Sequence, residues 1–349
     1  MSNTCLNIQV ETQNIQSIKD FLCNLSLIRQ SLQYFNENIK LNSNNNHHQF
    51  IDFRILINDQ QENNIGTFKN IHLYKEYYSE ILTNVNDYYK YEFNVVMPQY
   101  NNTINNNTIN NEKVLLLNNN ENQWIKFKRN LQNEIICENN VLNRIEILPE
   151  CNISHSLNEF DLIFNNSQVI SSVEENYRKF NVVCLGGTFD RLHLGHKILL
   201  TQALLLYKEN NQNDGKKHEI QIGVSIDGLL KNKKLKELIQ SYELRRDNVL
   251  KSIAKINPSM DMSQINIFPL PEPWGPIATD PQLEVLVVSD ETLNGAKKGN
   301  EIRKNEKNFP MYEIVCIPLL LPRSEAATES IKLSSSQLRE LDNQQLNNQ

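Results

Sequence analysis

One stretch gathers residues that could do chemistry: Leu185-Gly186-Gly187-Thr188-Phe189-Asp190-Arg191-Leu192-His193-Leu194-Gly195-His196. Adjacent glycines let a backbone turn tightly and come close to a ligand. A helix starting just after them aims free N–H groups and its positive dipole end at that ligand, which favours phosphate. His193 and His196 flank Gly195 at this helix start, where both rings can face a bound anion. With seven histidines and ten glycines in 349 residues, chance supplies roughly 0.004 copies of His-x-Gly-His. Zinc is not indicated, since no Cys, Glu or third His stands at ligand spacing.

The elements that must position this loop follow from the apolar pattern around it. Val182–Leu185 reads as a short buried strand leading into the glycines, and Gly195–Glu209 as the helix that follows. Next come a strand at Ile220–Val224, a basic segment at Lys231–Leu238, and a helix at Ser241–Ile256 stopped by Asn257-Pro258. A strand at Ile265–Pro269, a proline-rich loop (Pro271, Pro273, Pro276) and a strand at Glu284–Val288 continue the series. A helix near Leu293–Asn305, a strand at Tyr312–Ile317 and a helix from about Ser335 complete it. Apolar strands alternating with helices predict an α/β domain, a parallel sheet with helices on both faces, over residues 176–342. Residues 343–349 read as a polar tail. Ligands in such a sheet bind at the carboxyl ends of the strands, where the glycine turn falls.

Residues 1–175 have a different texture. Glycine is nearly absent there, only Gly66 preceding Gly186, whereas asparagine is concentrated before Asn181. The formal charge of −6 also lies in that part. Helical spacing runs through Ile15–Leu41, and strands are predicted at Phe50–Asn58, Glu92–Met97, Lys113–Leu117 and Arg144–Leu148, a mixed α/β region. Segments 42–48 and 100–111 read as flexible polar insertions, and no motif there carries chemistry. Neither half is basic enough to call for nucleic acid. No apolar run reaches the ~18 residues a bilayer span needs. The N-terminus lacks a signal-peptide pattern, and the six cysteines form no C-x-x-C pair, so a cytoplasmic protein with free thiols is expected.

The segment GGTFDRLHLGH resembles the first signature of nucleotidyltransferases with a T-x-x-x-x-H-x-G-H loop, and in particular the phosphopantetheine adenylyltransferases of eukaryotic and archaeal type. Three further segments agree in order: Val224–Asn248 with a basic run and a Tyr-x-x-Arg helix, Gly275–Leu293 with G-P-x-x-T-D and V-V-S-x-E-T, and Lys332–Glu340 with the serine-rich second signature. The resemblance implies a Rossmann-like fold and transfer of the adenylyl group of ATP, accompanied by Mg²⁺, to 4′-phosphopantetheine. It implies that Thr188, Lys231, Phe189 and Arg245 serve the acceptor, with Lys233 and Lys234 competing for the role of Lys231. It also implies that Gly186, Gly187, His193, Gly195, His196, Ser289, Thr292, Ser334, Ser335, Ser336 and Arg339 serve ATP. His196, Thr188 and Lys231 would be catalytic, no protein metal ligand is implied, and Asp190 reads as a turn cap.

No kinase phosphate loop occurs, so a separate dephospho-coenzyme A kinase is the expected partner. Rival readings are a cytidylyltransferase, which shares the first loop but usually carries R-T-x-G-I-S-T-S second, and an NMN adenylyltransferase, which usually has Pro where Arg191 stands. A non-catalytic regulator keeping the fold is the alternative from another class.

Overall fold

Four parallel strands and an antiparallel pair arise from the asparagine-rich half of the computed structural model. The structure describes residues 5–11, 25, 28–29, 32–33, 36, 50–56, 71–85, 92–97, 113–117, 126–129, 134–136, 179–209, 215–320 and 334–347. The chain divides into two compact units, 1–168 with 321–331, and 169–320 with 332–349. In the first, the elements are β1 (Cys5–Glu11), β2 (Phe50–Leu56), α1 (Ile71–Asn84), β3 (Glu92–Val96), β4 (Lys113–Leu117), β5 (Lys126–Arg129) and β6 (Glu134–Ile136). They form one sheet in the order β3-β2-β1-β4-β5-β6, with β5 and β6 antiparallel. Helix α1 buries Tyr74, Tyr77, Tyr78 and Ile81 completely. Its buried Glu80 is held by Arg29 Nε (3.1 Å) and Nη2 (2.8 Å). Burial nevertheless raises the Glu80 pKa.

Within the helix expected at Ile15–Leu41, Leu25, Ile28 and Leu32 are helical and buried. The strand expected at Arg144–Leu148 and the insertions at 42–48 and 100–111 lie outside the described residues. Strands β1, β5, β6 and helix α1 are additions to the sequence reading.

In the second unit the chain runs β7 (Val182–Gly187), α2 (Leu194–Leu206), β8 (Glu219–Ser225), α3 (Tyr242–Ile256), β9 (Ile265–Leu270), α4 (Gly275–Thr279), β10 (Val285–Val288), α5 (Leu293–Ile302), β11 (Glu313–Cys316) and α6 (Ser335–Asn347). All five strands are parallel in the order β11-β10-β7-β8-β9. The order reverses between β7 and β10, so the switch point where such sheets bind ligands lies at their carboxyl ends. Strand β10 and the first four residues of β7 are buried throughout, which explains their continuous apolar character.

Helix α2 is apolar around nearly its whole circumference and buries eleven of its thirteen residues. Helix α3 starts at Ser241, whose hydroxyl accepts the Leu244 N–H at 3.2 Å. Buried Arg303 donates to the carbonyls of Ile277 (2.9 Å), Asp280 (2.8 Å) and Pro310 (2.6 Å), tying the α4–β10 connection to the segment before β11. Helix α6 extends to Asn347 and takes up most of the segment read as a polar tail. Nothing in Asn343-Gln344-Gln345-Leu346 breaks a helix, because neither Gly nor Pro occurs there.

Candidate active site

The site is built where β7 ends. Beyond Gly187 the backbone enters two left-handed positions, Phe189 (φ 52°) and Arg191 (φ 46°), that non-glycine residues seldom adopt. Two anchors hold them. The Phe189 side chain is fully buried, and the Arg191 N–H donates to Gln240 Oε1 at 2.9 Å. The chain then enters α2, whose second and third residues are Gly195 and His196. The His196 and Lys197 N–H groups return to His193 O, at 2.9 and 3.1 Å. Leu194 and Gly195, ahead of them, have no helical carbonyl to bond, so their N–H groups suit an anion.

The two imidazoles stack with centroids 3.9 Å apart, and Phe189 lies 5.3 Å from the His196 ring. The His193 N–H donates to His196 Nδ1 at 3.3 Å. That bond assigns the proton of a neutral His196 to Nε2, making Nε2–H a donor. Burial, reinforced by the Lys233 charge, lowers His196 to about 3, so the ring is neutral at physiological pH. Burial and the neighbouring His196 also lower His193 well below its ordinary value, against the pull of Asp190. The His193 Nδ1 atom is buried without a hydrogen-bond partner among the described residues. These are uncharged donors and acceptors.

A second helix start meets the first. Ser334 caps α6, its hydroxyl accepting the Gln337 N–H at 3.3 Å, and Ser335 Oγ lies 3.5 Å from His193 Nε2. Two positive helix ends, two neutral histidines and Ser335 therefore converge at the β7 end of the switch point. Ser289 and Thr292 stand at the end of β10, the other side of that point, in a tight turn where the Ser289 N–H donates to Thr292 Oγ1 at 3.2 Å.

Several expected ligand residues have other duties here. Phe189 is 0% exposed and packs beneath the loop. Arg245 is buried, and its guanidinium donates to the carbonyls of Gln240 (2.9 Å), Thr188 (2.7 Å) and Ser225 (2.9 Å). These bonds tie α3 to the loops after β7 and β8. Arg339 Nη1 donates to Asp190 at 2.6 Å. Thr188 itself is partly buried, and Lys231, Lys233 and Lys234 are exposed. Among the lysines, Lys234 pairs with Glu340 at 2.7 Å and Lys233 is the one whose charge reaches His196. Asp190, read as a turn cap, is completely buried. It accepts from Arg339 Nη1, from Arg191 Nη1 (3.1 Å to each oxygen) and from the Gln240 N–H (3.0 Å). Only its position beside the signature histidines could have flagged it from sequence.

A parallel sheet of this order with a histidine-bearing helix start at its switch point defines a nucleotidyltransferase-like α/β unit, and residues 184–341 match the family described as Cytidylyltransferase-like. The chain belongs, more narrowly, to the phosphopantetheine adenylyltransferase family. It is 34% identical over 161 residues to the Methanopyrus kandleri protein of that name, covering 46% of this chain and 90% of the relative. The Saccharomyces cerevisiae phosphopantetheine adenylyltransferase is 35% identical over 187 residues, 54% of this chain. An uncharacterized protein of Schizosaccharomyces pombe is 36% identical over 172 residues, 48% of this chain. The matches span about half the length of these two fungal relatives, 56% and 50%. No helix among the described residues is long and apolar enough to cross a membrane.

Proposed function

We propose that this chain transfers the adenylyl group of ATP to 4′-phosphopantetheine, releasing pyrophosphate and forming dephospho-coenzyme A. The observation that carries the reading is the meeting of the α2 and α6 starts, where His193 Nε2 and Ser335 Oγ stand 3.5 Å apart. The names of the relatives support the choice of substrates.

The acceptor is a phosphomonoester whose second pKa of about 6 leaves it mostly dianionic at pH 7. It needs no general base. What the site must do is hold two anions in line, neutralise their repulsion and stabilise charge on the α-phosphate. Neutral His196 suits the last task, because Nε2–H donates without changing charge during reaction. Thr188 and Lys231, with Lys233 nearby, would hold the acceptor phosphate. Ser334, Ser335 and Ser336 at the α6 start, together with Ser289 and Thr292 across the switch point, would receive the nucleotide and its departing pyrophosphate. Gly186, Gly187 and Gly195 let backbone approach it closely.

Both Asp190 oxygens are already taken by Arg191, Arg339 and the Gln240 N–H, so the carboxylate beside the histidines is engaged with protein partners. Mg²⁺ would enter this site with ATP, held by its phosphates. When present, the ion supplies neutralisation of phosphate oxygens.

The test pairs purified protein with ATP or CTP and with 4′-phosphopantetheine, phosphocholine or NMN, and measures pyrophosphate release. ATP with 4′-phosphopantetheine is expected to dominate. Dominant CTP turnover would assign the site to a cytidylyltransferase, and no turnover with any pair would leave a non-catalytic fold.

A further inference from the structure

The buried guanidinium of Arg339 reaches three segments at once. Nη1 donates to Asp190 Oδ2 at 2.6 Å, in the loop that carries the signature histidines. Nε donates to the Lys234 carbonyl at 2.9 Å, in the basic segment. Nη2 donates to Ser336 Oγ at 3.0 Å, at the start of α6. Arg339 is 1% exposed and Asp190 0%. Two flanking ion pairs repeat the pattern: Arg191 Nε with Asp342 at 2.6 Å, and Lys234 Nζ with Glu340 at 2.7 Å. An arginine held in this way has each of its three nitrogens directed at the protein instead of at a phosphate.

From these contacts we infer that Arg339, with Asp190, is a positioning residue that locks the histidine loop, the lysine segment and the serine helix into one phosphate-binding frame. The inference rests on the adenylyl-transfer reading and adds to it how that site is assembled. A planar fork is required for the task. Lysine keeps the charge, yet its single nitrogen cannot bond three diverging acceptors. A phosphate-contacting arginine would behave differently, because its loss would fall on ATP affinity alone and Asp190→Asn would not reproduce it.

The variants Arg339→Lys, Asp190→Asn and the two combined, in the full chain, distinguish these roles. Thermal unfolding serves as the check on folding, calorimetry with Mg²⁺–ATP gives affinity, and steady-state kinetics give KM and kcat. Misplacing reacting groups by about 1 Å costs about a hundredfold in rate, so each single variant is expected to lose about that much. The KM values for ATP and for 4′-phosphopantetheine should rise together, because the frame serves both sides. The double variant should be no worse than the worse single one, since both break the same junction. Arg339→Lys within about twofold of the parent would overturn the inference. Multiplying losses in the double variant, or tighter ATP binding by Asp190→Asn, would also overturn it.

If the variants do not fold, amide hydrogen exchange on the parent protein decides. ATP should slow exchange in residues 231–240 and in Ser335–Asn347 together, and protection confined to one of them contradicts a shared frame. A parent protein that binds ATP but transfers nothing to 4′-phosphopantetheine would sink the proposed reaction. The calorimetric comparison would still judge Arg339.

Discussion

Replacing His196 by asparagine separates the two bonds its ring can make. The Asn carbonyl can take over from Nδ1 and accept the His193 N–H, now 3.3 Å from that nitrogen. The side chain is too short to place a donor where Nε2–H stands. His196 is lowered to about 3, so at neutral pH the loss is one uncharged, preorganised donor rather than a cation. Removing a single such donor to transition-state charge costs about 2.7–4 kcal/mol, or about 10²–10³ in kcat. His196→Gln, whose amide reaches about as far as Nε2, should recover part of that loss. The assay is steady-state pyrophosphate release with both substrates varied, repeated from pH 5 to 9. A rate limb near pH 6 is expected from the acceptor phosphate, and it should persist in His196→Asn. A kcat loss below tenfold, or a limb that vanishes with the imidazole, would refute a neutral donor at position 196.

Three more outcomes follow from the packing. Phe189→Ala should destabilise the C-terminal unit by about 3–5 kcal/mol in urea unfolding, because the ring is fully buried beneath the loop. A rise in acceptor KM with stability unchanged would instead make Phe189 a ligand contact. Arg245→Lys leaves one nitrogen for three carbonyls and should cost about 3 kcal/mol; an unchanged urea midpoint would contradict that anchoring role. For pH, His193 and His196 both titrate lower when folded than when unfolded. Their contribution is therefore present above pH 6.5 and lost as pH falls below it, for His196 toward about 3. His196 can account for at most about 5 kcal/mol of that loss, less its solvent screening, from the gap between 6.5 and about 3. The urea midpoint should fall between pH 7 and pH 4.5, and fall less in His196→Asn.

The sheet of the C-terminal unit was legible because its inner strands β7, β8 and β10 are buried on both faces, which leaves runs such as Val285-Leu286-Val287-Val288 with no polar interruption. Their carboxyl ends were less legible. Strand β7 continues through Gly186 and Gly187, residues with little strand propensity, because β8 pairs with both. The alternation of Leu6, Ile8 and Val10 in β1 was an available signal that the asparagine-rich surroundings obscured. Helix α1 is dense in tyrosine, which propensity ranks low, and tertiary burial decides its state.

At the site, spacing disclosed the histidines, the serine helix and the glycine turn, since each is a local device. It did not disclose what the long cations do. Whether Arg245 or Arg339 ends at a phosphate or at a carbonyl depends on chain far away in sequence: Thr188 is 57 residues from Arg245, and Asp190 is 149 from Arg339.

The central claim is that the α2 and α6 starts form one adenylyl-transfer site for a phosphopantetheine acceptor. The most direct measurement runs the reaction backwards, incubating the full chain with labelled pyrophosphate and Mg²⁺ and with dephospho-coenzyme A, NAD or CDP-choline in turn. Labelled ATP should form with dephospho-coenzyme A at a rate well above that with NAD, and no labelled CTP should form from CDP-choline. Label appearing faster from NAD or CDP-choline, or from none of the three, would contradict the account.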